Sequence, residues 1–187
     1  ILPILFTSCV ALTKDNLKAR LAYSTISQLS YIVLGAAMAN VAGALGGSMH
    51  ILMHAMGKIT LFFCAGAIMV GQHLKNISDM DGLAKKMPWT MAAFTIASFS
   101  IIGLPPLGGA WSKWYLGMGA YETGNTFYLV TLLISSLLSI GYLMPVVARA
   151  YFRPAPLHSG HEHDGHDDHG HGQKDEEAPL MCVVPLC

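Results

Sequence analysis

Charge is scarce in this sequence. Only 12% of its 187 residues are Asp, Glu, Lys or Arg, against 53% apolar ones, too little charge for an ordinary water-soluble domain. Lys plus Arg and Asp plus Glu balance at 11 each. That leaves no basic excess to hold a phosphate backbone, and nucleic acid is not expected as a partner. Cysteine is scarce too. Cys9, Cys64, Cys182 and Cys187 form no CxxC pair, and Cys9 and Cys64 read as small buried apolar side chains. No cysteine cluster or nucleotide-binding motif is present, so no cofactor is expected, no residue is expected to be catalytic, and redox chemistry is not expected in the chain itself. A signal peptide is not recognisable either, because residues 1–12 lack a basic leading region. The apolar opening at Ile1 and the closing APLMCVVPLC read as parts of further spans. The chain is therefore expected to be a piece of a longer polytopic protein, with 178–187 opening another transmembrane helix.

What the sequence does have is long apolar blocks, at roughly 1–12, 21–72, 87–121 and 126–152. A bilayer core of about 30 Å takes about 20 apolar residues as helix, and helices satisfy their own backbone groups in lipid. The expected fold is all-α, a polytopic transmembrane helix bundle. Residues 1–12 end one span. A helix then runs from about Leu17 to Asn40, capped by Asp15 or Asn16. A Gly-rich turn (Gly43, Gly46, Gly47) leads into a helix over about 47–72. After the polar loop QHLKNISDMDGLAKKMP, Met87-Pro88 opens a third helix, where Pro is tolerated in the first turn. A span over 126–152 contains Pro145.

Between these lies GLPPLGG, residues 103–109. Gly103, Pro105, Pro106, Gly108 and Gly109 cannot continue a regular helix. Either this is a loop between two spans, or it is a break within one span, a feature that marks many transporter sites. A short helix, Trp111–Tyr121, follows and carries Lys113. The choice decides where Arg149 and Arg153 fall. On one reading they share a membrane face with Lys14, Arg20, Lys75, Lys85 and Lys86; on the other they lie opposite, and orientation stays open. Residues 153–177 are of different composition. HEHDGHDDHGHG and its flanks have almost nothing to bury and read as a disordered His/Asp-rich loop. His158, His161, His163, His166, His169 and His171 are candidates for weak metal binding, set against a plain solvated loop.

The most informative stretch is HILMHAMGK. An ionisable group within a span costs about 2.5–3.5 kcal/mol on insertion scales. His50, His54 and Lys58 step by four, and each step turns a helix by about 40° and climbs about 6 Å. The three form a tilted ladder on one face. Proton transfer needs neighbouring groups that gain and lose protons through water. Imidazole suits this with an unperturbed pKa near 6.5, and a lysine joins where desolvation or a nearby cation brings its pKa towards neutrality. The bland readings are helix–helix hydrogen bonding for the histidines and snorkelling for Lys58. Lys18 precedes a helix start rich in hydroxyls (Tyr23, Ser24, Thr25, Ser27) and Gln28, which suits a water chain. Lys113 follows the break. The spans contain no Asp or Glu, so a cation path here rests on Lys and His.

LKARLAYSTISQLSY, HILMHAMGKITLFFCAGAI, the DGLAKKMP loop and GLPPLGGAWSKWYL together resemble the antiporter-like subunits shared by respiratory complex I (the L/M/N-type subunits) and the Mrp-type Na+/H+ antiporters. The likeness covers about 1–152, and the wording is most similar to the Mrp D subunit. It implies a five-helix repeat with a broken helix, here the second repeat plus the end of the preceding helix. It also implies proton transfer at Lys18, His50, His54, Lys58 and Lys113. The first repeat of that family, with its buried Glu–Lys pair, is not in this sequence.

The function expected from this is a proton-translocating subunit of a multisubunit Na+/H+ antiporter, with other membrane subunits, protons, Na+ and the lipid bilayer as partners. The expected location is the bacterial inner membrane. The alternative is a proton-pumping membrane-arm subunit of an NADH–quinone oxidoreductase. A remote third reading is a zinc transporter, from HxxxH on a span plus the His-rich segment. Against it, the third rung is Lys58, which repels a dication.

Overall fold

The structure, a computed structural model, describes residues 1–153. The His-rich segment, its six candidate metal-binding histidines and the 178–187 helix lie outside the described residues. Among the described residues seven α-helices follow one another: α1 (Leu2–Thr13), α2 (Leu17–Ala37), α3 (Val41–Gln72), α4 (Leu83–Lys86), α5 (Pro88–Ile102), α6 (Gly108–Glu122) and α7 (Thr126–Phe152). A 3₁₀ turn, Ile77–Asp79, precedes α4. The chain is a transmembrane helix bundle. By length and composition α3 and α7 are each apolar enough to cross a bilayer.

Local chemistry sets the helix ends. Asn16, one of the two expected caps, accepts from the Ala19 amide at 3.2 Å and starts α2. Asn40 caps α3 by accepting from the Gly43 amide at 2.8 Å. The expected turn at Gly43–Gly47 is therefore corrected. The chain reverses at Met38–Asn40, with Ala39 in the left-handed region (φ 53°), and the three glycines lie inside α3. They serve close packing instead. A Cβ on Gly46 would sit 2.6 Å from the Leu116 amide, and one on Gly43 2.8 Å from the Gly35 carbonyl. Small residues at helix contacts allow such approach in membrane bundles. Met87-Pro88 opens α5 as expected. Cys64 is buried as expected, but Cys9 is exposed on the outer face of α1.

The α5–α6 pair forms one interrupted crossing. Gly57 of α3 packs on Ile101 and Ala97 of α5, Met53 on Gly108 at the break, and Gly46 and Gly43 on Leu116 and Gly119 of α6. The two helices thus lie end to end along α3, antiparallel to it. Each has 15 residues, about 22 Å at 1.5 Å per residue, which is too short to span alone. Gly103 (φ 92°) ends α5, and its amide and that of Leu104 both reach the Phe99 carbonyl at 3.0 Å.

This arrangement gathers the basic residues at one end. The Gly82 amide donates to the Arg149 carbonyl (3.3 Å), and Arg153 lies 3.6 Å from Asp81. The amides of Leu17 and Ile77 reach the carbonyls of Lys75 and Asp15. Arg20 donates to the carbonyls of Lys14, Leu12 and Tyr142. The opposite end, at Met38–Val41 and Tyr121–Thr126, carries no Lys or Arg.

The interior is layered. One apolar cluster near the basic end includes Leu21, Leu61, Ile68, Met91, Phe94, Tyr142 and Val146. A second, towards the other end, includes Ile4, Tyr31, Leu34, Leu116 and Leu132. Between them a belt of buried polar residues crosses α1, α2, α3, α6 and α7: Ser8, Ser24, Ser27, Gln28, His50, His54, Lys58, Ser112, Ser135 and Ser139. Meanwhile Ile51, Leu52, Met56, Ile59, Phe63 and Val70 of α3 face outward, as lipid contact requires.

Candidate functional site

The polar belt is the candidate site, and α3 is its spine. His50, His54 and Lys58 are 3%, 6% and 6% exposed, so all three point into the bundle. The two imidazoles are nearly parallel (17°), with centroids 5.8 Å apart. Lys58 sits where α3 meets the first turns of α2. Its ammonium donates to the Leu21 carbonyl (3.0 Å) and to the Ser24 hydroxyl. An ammonium this deep forgoes water, so those acceptors are what hold it.

The break positions the other end. Gly108 and Gly109 have no room for a side chain. A Cβ on Gly109 would overlap the Ser100 carbonyl oxygen, and one on Gly108 the Met53 sulfur. The first turn of α6 is therefore pressed through Gly109 onto the end of α5 and through Gly108 onto Met53 of α3, between the histidines. There Ser112 Oγ lies 3.0 Å from His50 Nδ1, and its own proton goes to the Gly109 carbonyl at 3.1 Å. The next residue, Lys113, reaches back across the break to the Ile102 carbonyl (2.8 Å). That carbonyl belongs to the last turn of α5, where orphan acceptors and the helix dipole favour a cation. The Lys113 ammonium is also 5.7 Å from the centroid of the Tyr31 ring, whose centroid lies 5.4 Å from that of His50. Lys113 is half-buried and borders a groove of about 770 Å³ between α6 and α7, lined also by Trp114, Tyr121, Glu122, Leu129 and Ser136.

Four of the five residues expected to transfer protons thus come together. Lys18 does not join them. It is exposed and its ammonium lies 3.2 Å from Met69 Sδ, in a cavity of about 160 Å³ at the basic end. Met69 is 11 residues beyond Lys58 on α3, about 16 Å along the axis. Of the hydroxyl residues anticipated on α2, Ser24 and Ser27 are fully buried, as is Gln28, while Tyr23 and Thr25 are half-buried.

Sequence reasoning missed the partners on the other helices. Ser139 and Tyr142 of α7 surround the Gln28 amide at 3.1 and 3.4 Å, and their hydroxyls lie 3.2 Å apart. Ser8 of α1 lies 2.7 Å from Ser27 and 3.5 Å from Ser135. The signal was available as Ser135 and Ser139, four apart in an otherwise apolar helix, but serine is too common in spans to stand out. Among the described residues the belt contains no carboxylate, and no three His, Cys, Asp or Glu side chains converge as a metal-ligand set.

The family described as NADH:quinone oxidoreductase/Mrp antiporter, TM, matches residues 1–139. The chain is 44% identical over 153 residues to NADH-quinone oxidoreductase subunit N of Desulforudis audaxviator (strain MP104C), which covers 82% of this chain and 30% of that protein. A chain of the Mrp complex from Dietzia sp. DQ12-45-1b superposes with a TM-score of 0.78 at 26% identity, over 81% of this chain and 28% of that one. A chain of respiratory complex I from Thermus thermophilus with bound NADH gives a TM-score of 0.79 at 22% identity, over 99% of this chain and 37% of that one, which shows a shared fold. The chain thus spans roughly a third of the length of the proteins it matches.

Proposed function

This chain belongs to the NADH:quinone oxidoreductase/Mrp antiporter transmembrane family, and on that premise we propose that it forms part of a proton-translocating subunit of a multisubunit membrane complex. One observation carries the reading. His50, His54 and Lys58 are buried in line on α3, and Lys113 reaches the same polar belt across the α5–α6 break. Protons that reach Lys58 from the basic end pass to His54 and His50, and on towards Lys113, whose charge repels a second cation and sends it onward. The broken helix contributes the Ile102 carbonyl that holds the Lys113 ammonium. Lys18 serves as an entry residue at the basic end, not as a rung of the ladder.

Two assemblies fit this chemistry. The 44% identity to a quinone oxidoreductase subunit favours the membrane arm of a redox-driven pump. The likeness to a chain of the Mrp complex favours a cation/proton antiporter, in which Na+ would be the counter-ion. The sequence favours the antiporter, whereas the higher identity to a quinone oxidoreductase subunit supports the redox-driven pump. Copurification with a flavin- and iron–sulfur-bearing arm selects the first, and Na+-dependent collapse of a pH gradient selects the second. In either case the membrane is the bacterial inner membrane, with the basic end in the cytoplasm.

The test is substitution in the full-length protein within its complex. Lys58→Ala and Lys113→Ala should each abolish proton transport, measured by a pH-sensitive dye in everted vesicles, with normal assembly on native gels. Wild-type transport in both variants overturns the proposal.

A further inference from the structure

Arg20 is a buried cation that the relay does not use. Its three guanidinium nitrogens each donate to a main-chain carbonyl. Nε reaches Lys14 in the turn after α1 (2.7 Å), Nη2 reaches Leu12 in the last turn of α1 (3.3 Å), and Nη1 reaches Tyr142 of α7 (3.3 Å). Among the described residues no carboxylate lies within ion-pair distance of it. Carbonyls solvate a cation without cancelling its charge. A guanidinium also keeps its proton at every pH a cell meets. Arg20 is therefore a fixed charge, where lysine and histidine can release theirs.

Its place on α2 matters. Arg20, Ser24 and Gln28 step by four along the buried face of the helix, about 6 Å apart along the axis. Ser24 holds the Lys58 ammonium, and the Gln28 amide meets Ser139 and Tyr142. Tyr142 joins the two levels, since its carbonyl accepts from Arg20 while its hydroxyl lies beside Gln28. Ser8, Ser27 and Ser135 continue this polar seam between α1, α2 and α7. A seam of hydroxyls and amides is what a file of water follows, and one open at the basic end would lead small cations straight to the belt. Arg20 stands where it would open. Its bond to Tyr142 is buried and those to Leu12 and Lys14 are half-buried, so the guanidinium spans the boundary between interior and surface. Tying α1 to α7 would need only neutral donors. A charge with no counter-ion, kept out of water at a cost, calls for a further reason.

We propose that Arg20 is a selectivity residue, whose fixed charge closes the seam between α1, α2 and α7 to cations at the basic end. Hydronium and alkali cations that enter the seam meet an uncancelled positive charge in surroundings of low dielectric, as at pores where an arginine excludes cations. Proton entry is left to the α2–α3 side, where Lys18 borders its cavity. The seal keeps an ion gradient from discharging through the belt while the relay is idle. This rests on the proton-relay reading above, which it deepens.

The experiment measures passive leak into proteoliposomes that hold the full-length protein in its complex, with transport idle. Sodium-sensitive and pH-sensitive dyes report Na+ and proton entry. Arg20→Gln keeps an amide donor and loses the charge; Arg20→Lys keeps the charge with fewer donors. At about pH 6, where a lysine holds its proton, Arg20→Lys should leak within about twofold of the wild type. Arg20→Gln should leak both ions about tenfold faster or more. An Arg20→Gln as tight as the wild type overturns the proposal. So does an Arg20→Lys as leaky as Arg20→Gln, which would mean that hydrogen bonding, not charge, makes the seal. If Arg20→Gln fails to assemble, Arg20→Lys decides alone: its Na+ leak should rise as alkaline pH strips the lysine of its charge, and a leak that is flat with pH overturns the proposal. Asp15 beside the α1–α2 turn and Arg149 of α7 are the charged groups that face this position, and the wild type, which shares both, is the control. If Lys58→Ala and Lys113→Ala lose transport while Arg20→Gln stays tight, the seal falls and the relay stands. Normal transport in the lysine variants removes the relay, and the leak still decides the seal.

Discussion

A lysine that is 6% exposed within a bundle of apolar helices is a thermodynamic burden unless its ammonium is satisfied. Lys58 has two acceptors, the Leu21 carbonyl and the Ser24 hydroxyl, and an ammonium has three protons to place. Replacing a buried ion pair with apolar side chains of similar volume is often neutral or stabilising by about 1–4 kcal/mol, and the same desolvation cost weighs on a buried lysine. Lys58→Met should therefore unfold in detergent at or above the wild-type temperature while transport is lost. A clearly lower unfolding temperature would mean that Lys58 is held for structure. Ser24→Ala acts oppositely, leaving the charge in place with one acceptor fewer. It should destabilise by roughly 1–3 kcal/mol, read from the same melting curves. His50, His54 and Lys58 were legible in the sequence because ionisable residues are conspicuous in an apolar span. Ser112, Tyr31 and Tyr142 were not, because serine and tyrosine are ordinary span residues until a neighbouring helix supplies a partner.

The helices themselves were largely readable, but their joints were less so. The glycines of GALGGS suggested a turn, since glycine lacks the constraint of a Cβ. Asn40 overrode that by capping α3 at the Gly43 amide, and its Nδ2 also donates to the Gly119 carbonyl (2.8 Å), tying the α3 start to the α6 end. The glycines then supply closeness, not flexibility. Gly46→Leu should separate α3 from α6 and lose assembly, because even a Cβ would press on the Leu116 amide. Normal complex formation by that variant would contradict the packing described. The displaced turn left Ala39 at φ 53°, a conformation that costs an L-residue about 1–2 kcal/mol. Ala39→Gly should recover about half of that, the remainder being lost to the freer unfolded chain, as a modest rise in unfolding temperature.

For the molecule as a whole, the α5–α6 crossing decides the distribution of charge. Lys14, Lys18, Arg20, Lys75, Lys85, Lys86, Arg149 and Arg153 gather at one end because α5 and α6 count as one crossing, not two. A membrane-impermeant maleimide applied to intact cells should label Thr123→Cys and spare Lys75→Cys, in a background without other reactive cysteines. The reverse pattern would invert the orientation. Read along the chain alone, the residues already specify a membrane bundle, where its long helices run, and which face of α3 carries protonatable groups. Those properties are local: apolar length, capping side chains and the 3.6-residue period are set by neighbours along the chain. Packing in three dimensions is what makes GLPPLGG an interruption of a span, brings Lys113 but not Lys18 to the ladder, and lets α1 and α7 complete the polar belt. Each of those depends on which helices lie side by side, and contacts between residues far apart in sequence leave little trace in the pattern of either segment alone.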